Sequence, residues 1–194
     1  MKCLYCDKKI NRYSLYDLFV ESDVLCLKCR EKMIVNRKNF VVEGIKCESF
    51  YDYDSLFKTL LLQYKECYDE ALKDVFLYKI DVYIKLKYYG YKVVYVPSSK
   101  RKLDKRGFDH LRLIFKPLGF KEAGKLILKE DLIQEGKNLK ERGRMKNNYL
   151  FNGSHYKKIL IIDDVCTTGS SIIGAYNALK DYGDEIKALI LSKA

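Results

Sequence analysis

Asp163 and Asp164 stand side by side between a wholly aliphatic run, Ile159 to Ile162, and a short stretch rich in hydroxyls, Thr167-Thr-Gly-Ser-Ser171. An ionised carboxylate only accepts hydrogen bonds, so this pair repels phosphate and matches hydroxyl groups or a divalent cation. The hydroxyls of Thr167, Thr168, Ser170 and Ser171 are suited to the opposite task. Gly169 between them lets backbone N–H groups approach an anion with no Cβ in the way. The order aliphatic run, acidic pair, Val165, Cys166, hydroxyl turn and amphipathic stretch predicts a strand, a loop and a helix. A phosphate would sit on the loop and helix N-terminus, and ribose hydroxyls would meet Asp163 and Asp164, alone or through Mg2+. No Gly-Lys-Ser/Thr follows, which excludes a Walker-type nucleotide loop. The bland alternative is a capped helix after an acidic turn.

A second constellation opens the chain. Cys3 and Cys6 form one C-x2-C pair, and Cys26 and Cys29 form another after nineteen intervening residues. Two residues between cysteines let both thiolates reach one ion from a tight turn, and two such knuckles complete a tetrahedral sulfur shell for Zn2+. Four thiolates leave no open position, so the metal is expected to be structural. The segment is too short for a core of its own, and metal binding would supply much of its folding free energy. Of the remaining cysteines, Cys47 and Cys67 read as buried, unreactive thiols, and Cys166 as an incidental small residue in the phosphate loop.

The elements that must position these groups follow from periodicity. The 40–53 segment reads as strand-rich, with Gly44 marking a hairpin turn. Residues 54–65 carry apolar side chains at helical spacing, with Asp52 or Asp54 to cap the start. A second helix is expected from Glu70 to Tyr89, stopping at Gly90. Its alternating lysines and tyrosines read as a half-buried face, with base stacking as the minor alternative. Tyr91 to Val96 is a buried strand ending at Pro97, and Ser98 to Gly107 a basic loop. The 108–120 segment is an amphipathic helix and Leu126 to Ile133 a strand. Residues 136–148 have no apolar face and read as a mobile loop. Then come a strand at 158–163, a helix at 170–182 and a strand at 185–192. Strands alternating with helices after residue 90 predict an α/β domain with a parallel sheet and crossover helices. The division expected is 1–38, zinc finger and connector, and 39–194, α/β domain.

The 194 residues carry a net charge of +11. The excess is local: residues 99–158 hold 17 basic and 7 acidic side chains, whereas residues 159–194 hold 3 and 5. A localised basic third suggests an anionic partner such as phosphate or nucleic acid rather than a uniform basic coat. No apolar stretch approaches the ~20 residues that span a bilayer. The start lacks the apolar region of a leader, and cytoplasmic residence with reduced cysteines is expected.

The Ile159–Ser171 motif closely resembles the phosphoribosyl pyrophosphate loop of type I phosphoribosyltransferases. With the cysteine knuckles in front, the 96–108 segment VPSSKRKLDKRGF and the basic Arg-x-Arg before Phe151, the chain resembles the ComF family of competence proteins. The resemblance implies a type I phosphoribosyltransferase-like sheet behind a four-cysteine zinc finger. It implies a pyrophosphate loop at Ser98, Ser99, Lys100 and Arg101, and flexible-loop cations at Arg142 and Arg144 that close over the ligand. Where the family has Asn-Gln after its Arg-Gly-Phe, this chain has Asp109-His110. His110 is expected to be a surface or hydrogen-bonded histidine, with general acid–base work as the alternative. The resemblance further implies a cytosolic protein acting on incoming single-stranded DNA in natural transformation, with a DNA helicase and a recombination loader as partners. A phosphoribosyltransferase of nucleotide salvage and a non-catalytic sensor of phosphoribosyl pyrophosphate are the alternatives. No acceptor-base motif is legible.

Overall fold

The computed structural model describes residues 1–10, 24–134 and 148–194. Five strands form the central sheet: β1 (Lys38–Val42), β2 (Ile45–Asp52), β3 (Lys92–Tyr95), and two long strands that follow β3 and a separate β-ribbon in the chain. The ribbon pairs β4 (Gly124–Leu128) antiparallel with β5 (Tyr149–Gly153). The long strands are β6 (Tyr156–Cys166) and β7 (Gly183–Lys193). Their order across the sheet is β1-β2-β7-β6-β3, all parallel except the β1–β2 hairpin. The expected mostly parallel α/β sheet is therefore present.

Its centre is dry. Ile159 to Ile162 on β6 and Leu189 to Leu191 on β7 are fully buried, as are Val93 and Val94 on β3. Such unbroken aliphatic runs are what a strand covered on both faces requires. The hairpin turns at Glu43 and Gly44, both at positive φ (46° and 84°). That is the backbone of a two-residue turn matched to strand twist, and it explains the glycine.

Helices accompany the strands: α1 (Leu27–Lys32), α2 (Ser55–Glu66), α3 (Asp81–Lys87), α4 (Lys100–Arg106), α5 (His110–Phe115) and α6 (Lys129–Gln134), with α7 (Ser170–Leu179) crossing from β6 to β7. Helix α2 forms because Leu56, Phe57, Leu60, Leu61 and Tyr64 recur at helical spacing and are buried together. Each such side chain contributes roughly 1.5–3 kcal/mol when fully withdrawn from water. Its cap is Asp54, whose carboxylate accepts the Phe57 N–H at 2.7 Å. The other candidate cap, Asp52, instead pairs with Lys38 and Asn36.

Several expectations need correction. The single helix expected over 70–89 is a 3-10 stretch, Glu70–Val75, then a turn and the short α3. Leu72, Val75, Phe76, Leu77 and Ile80 are all buried, so apolar residues face inward on too many sides for one straight surface helix. Lys79 at φ 65° breaks the run before α3. The basic loop expected at 98–107 folds from Lys100 into α4, which Gly107 ends at φ 80°. The strand expected at 126–133 stops at Leu128, where α6 begins. Cys67, expected to be buried, is exposed because it caps the end of α2. The 136–148 segment, apart from Asn148, lies outside the described residues.

The lysine–tyrosine run on and after α3 has a structural account. Glu48 of β2 is 2% exposed, and its carboxylate accepts from Tyr83 (2.9 Å), Lys87 (2.8 Å) and Tyr88 (2.8 Å). A buried carboxylate persists only when its oxygens are fully engaged, and α3 supplies the donors. The half-buried face is thus the anchor of α3 on the sheet.

Candidate functional site

Strand β6 runs three residues past the expected end at Asp163, through Cys166. Asp163 and Asp164 are therefore successive residues inside a strand, and successive side chains point to opposite faces of the sheet. Both are buried, at 8% and 7% exposure. Cys166 is the buried last residue of the strand rather than part of the loop, and Val165 is half-buried beside it. Thr167, Thr168 and Ser170 are exposed at the carboxyl end of the strand, with Ser171 half-buried. The Ser170 hydroxyl and N–H both face the Thr168 hydroxyl, at 3.1 and 3.4 Å. Gly169 caps α7 at φ 79°, and a Cβ there would lie 2.5 Å from Cγ1 of Val42 on β1. The glycine is thus required by its own backbone and by the packing of the hairpin against the loop.

Strand β3 lies beside β6 in parallel register, with Tyr95 opposite Ile162. The loop holding Ser98 and Ser99 therefore leaves the sheet at the same edge as the Thr167–Ser171 loop. Lys100 and Arg101 follow as the exposed first turn of α4. The Lys100 N–H donates to both carboxylate oxygens of Asp131, each at 3.1 Å. With Lys102 and Lys105 also exposed on α4, this edge of the molecule is basic. Arg142 and Arg144 lie outside the described residues.

A closed ring of polar contacts sits beneath that edge. Oδ2 of Asp164 accepts from Lys65 Nζ at 2.7 Å and contacts His110 Nε2 at 2.5 Å. Arg106 Nη1 lies 2.9 Å from His110 Nδ1, and Arg106 Nε donates to the Lys65 carbonyl at 2.9 Å. Guanidinium only donates, so Nδ1 accepts, the ring proton sits on Nε2, and Nε2 donates to Asp164. The ring joins the end of α2, the end of α4, the start of α5 and the middle of the sheet. Arg106 and His110 are 6% and 4% exposed. His110 is therefore hydrogen-bonded and interior, not a surface histidine.

The two carboxylates have different electrostatic states. Burial, reinforced by the neighbouring Asp164 charge, raises Asp163 well above the usual carboxylate range. Burial acts the same way on Asp164, but the His110 hydrogen bond and the Lys65 charge overcome it and hold Asp164 below that range. The two buried acids are thus pushed in opposite directions. The residues present do not fit a divalent cation held jointly by the pair: successive strand side chains diverge, and Asp164 already carries the Lys65 ammonium. Tyr149 of β5 is buried, and its ring packs on Gly174 of α7.

Sequence reasoning missed Lys65 and Tyr149. For Lys65 a signal existed, because it falls four residues after Leu61 at the edge of the apolar stripe of α2. Tyr149 follows the basic segment and has no local mark of its role.

At the amino terminus the four thiols of Cys3, Cys6, Cys26 and Cys29 lie within 4.8 Å of one another, and Cys6 and Cys26 are 3.7 Å apart. Zn–S bonds of ~2.3 Å in a tetrahedron place sulfurs about 3.8 Å apart, so the cluster fits a structural zinc. Burial by itself would raise the Cys3 thiol, but N–H groups of Cys26, Cys6 and Tyr5 bring it down to about 7. Burial and the surrounding sulfurs push Cys29 upward. The finger rests on α2 through Gln63, whose amide donates to the Leu4 carbonyl at 3.0 Å.

A competence protein, ComFC of Streptococcus pneumoniae (strain ATCC BAA-255 / R6), is 30% identical to this chain over 142 residues. The chain is therefore similar in sequence to a ComFC competence protein. The match takes in 72% of this chain, and the chain spans 64% of the length of that ComFC. No protein-family model matches. Among solved structures, Leishmania donovani UMP synthase superposes with a TM-score of 0.31 at 14% identity, covering 86% of this chain and 31% of that one. A score at that level bears no weight, and the similarity to ComFC stands on sequence. No helix among the described residues is long and apolar enough to cross a membrane.

A hollow of about 260 Å³ is bounded by Ile45, Lys46, Tyr176 and Glu185. It lies at the amino ends of β2 and β7, whereas ligands of parallel α/β sheets bind at the carboxyl ends.

Proposed function

We propose that this ComFC-like chain binds a phosphoribosyl compound, with phosphoribosyl pyrophosphate as its reference ligand, at the shared carboxyl edge of β3 and β6. In this reading it acts in the cytoplasm on incoming single-stranded DNA during natural transformation, beside a DNA helicase and a recombination loader. Zinc holds the amino-terminal finger.

One observation carries the ligand reading. Two loops, Ser98–Ser99 and Thr167–Ser171, leave adjacent parallel strands at one edge, above the buried Asp164 carboxylate paired with Lys65 and beside an exposed basic helix. The hydroxyls and N–H groups of the Thr167–Ser171 loop suit a phosphate. The carboxylates suit ribose hydroxyls. Ser98, Ser99, Lys100 and Arg101 suit a second phosphate group. The nucleic-acid part rests on the similarity to ComFC and on the basic surface of α4, which would track a phosphate backbone without reading sequence.

Calorimetry with phosphoribosyl pyrophosphate tests the site. Wild-type protein should bind, and the Asp163→Asn/Asp164→Asn double variant should lose binding while keeping its fold by circular dichroism. Equal affinity of the two proteins would reject the site. For DNA, the affinity for a single-stranded oligonucleotide should fall steeply with salt, as release of condensed counterions requires. Salt-independent or absent binding would remove the nucleic-acid role.

A further inference from the structure

The acidic pair of this site carries its own cation. Lys65 Nζ sits 2.7 Å from Asp164 Oδ2 in a pair whose side chains are 24% and 10% exposed, so it lies just below the site surface. The ammonium is held in place from behind. The Lys65 carbonyl accepts from Arg106 Nε, Arg106 Nη1 contacts His110, and His110 Nε2 donates to the same Asp164 oxygen. Both favourable directions on Oδ2 are therefore taken, one by a full positive charge. An ammonium group has three donors, and among the described residues Asp164 is the one acceptor shown for Lys65. Two donors remain for a ligand.

A magnesium ion demands a near-octahedral shell of oxygens at roughly 2.0–2.1 Å, commonly with one or two carboxylates in it. Asp163 and Asp164 leave the strand on opposite faces, so no single ion meets both. An ion entering at Asp164 alone would have only Oδ1 to bind, because Oδ2 is held by Lys65 and His110, and it would sit beside the Lys65 ammonium on the same carboxylate.

Resting on the phosphoribosyl reading above, we infer that Lys65 is the resident cation of the site: it takes the place of a divalent ion at Asp164, and the site binds a ribose phosphate without Mg2+. Lys65 donates to Asp164 on one side and to a ribose hydroxyl or phosphate oxygen on the other.

Ribose 5-phosphate is the probe, because it keeps the ribose hydroxyls and lacks the pyrophosphate that chelates Mg2+ by itself. Calorimetry would compare the full, zinc-loaded chain in millimolar Mg2+ with the same chain in buffer stripped of divalent ions over a chelating resin. No soluble chelator is used, because it would remove the zinc. Wild-type affinities in the two buffers should agree within about twofold, Lys65→Met should weaken Mg-free binding at least about tenfold, and Lys65→Arg should retain most of it. Binding by wild type only when Mg2+ is present would overturn the inference and leave the phosphoribosyl reading standing. So would unchanged Mg-free binding by a folded Lys65→Met. Absence of binding in both buffers would overturn the two together. The wild-type comparison decides the matter even where Lys65→Met does not fold.

Discussion

Gly169→Ala isolates the contact between the loop and the hairpin. The residue has φ 79°, a left-handed conformation that costs an L-residue roughly 1–2 kcal/mol. The added methyl would also lie 2.5 Å from Cγ1 and 3.3 Å from Cγ2 of Val42. Relieving such an overlap moves a strand or a β-branched side chain with one preferred rotamer, at roughly 1–3 kcal/mol. Together the two effects should destabilise the protein by about 2–5 kcal/mol. For a domain of this size each kcal/mol lowers the melting temperature by about 2–4 °C, so a fall of roughly 4–20 °C is expected. Val42→Ala separates the two causes. Alone it removes two half-buried methyls and should cost about 1 kcal/mol. Combined with Gly169→Ala it should restore most of the steric part and none of the backbone part, giving a favourable coupling of about 1–3 kcal/mol. The assay is thermal and urea unfolding of all four zinc-loaded proteins, followed by circular dichroism. A single variant melting within about 1 °C of wild type would refute the reasoning altogether. Strict additivity would refute its steric half.

Two further outcomes follow from the buried acids and the finger. Asp163→Asn replaces a raised, buried acid with a neutral group of the same shape. A group whose folded pKa lies above its unfolded value stabilises most below the unfolded pKa, ~3.9, and that contribution is lost as pH rises towards the folded value. The variant should therefore gain on wild type as pH climbs from about 4 through neutrality, read as the difference in melting temperature at a series of pH values; a difference flat with pH would show that Asp163 is not raised. Cys26→Ser removes one of the four clustered thiols, so zinc content should fall below one per chain and proteolysis should cut first within the finger. Because Gln63 of α2 holds the Leu4 carbonyl two residues before Lys65, the same variant should also weaken ribose 5-phosphate binding, by calorimetry; full zinc content or untouched proteolysis would contradict the structural role.

Local sequence was sufficient wherever one segment settles its own geometry. The cysteine pairs converge because each knuckle is a tight turn, and the hairpin at Gly44 follows from a residue tolerant of positive φ. The buried strands at 91–96 and 159–162 follow from unbroken aliphatic and aromatic runs. A cap at Asp52 or Asp54 was legible for the same reason, and the fold chose Asp54. What only the tertiary structure decided concerns groups far apart in the chain. Lys65 and Asp164 are 99 positions apart, and His110 and Asp164 are 54 apart. No periodicity encodes that meeting, which exists because α2 and α4 end, and α5 begins, over one strand of the sheet. The same packing broke the helix expected after Glu70 and made the basic stretch after Ser99 helical. It also gave the lysines and tyrosines near α3 a buried carboxylate to serve. The Ile159–Ser171 motif thus identified its loop from sequence, but the opposed directions of Asp163 and Asp164 came from β6 continuing to Cys166. Strand pairing with β7, up to Cys166 opposite Lys193, sets that extension, and a neighbouring strand is invisible from within the motif.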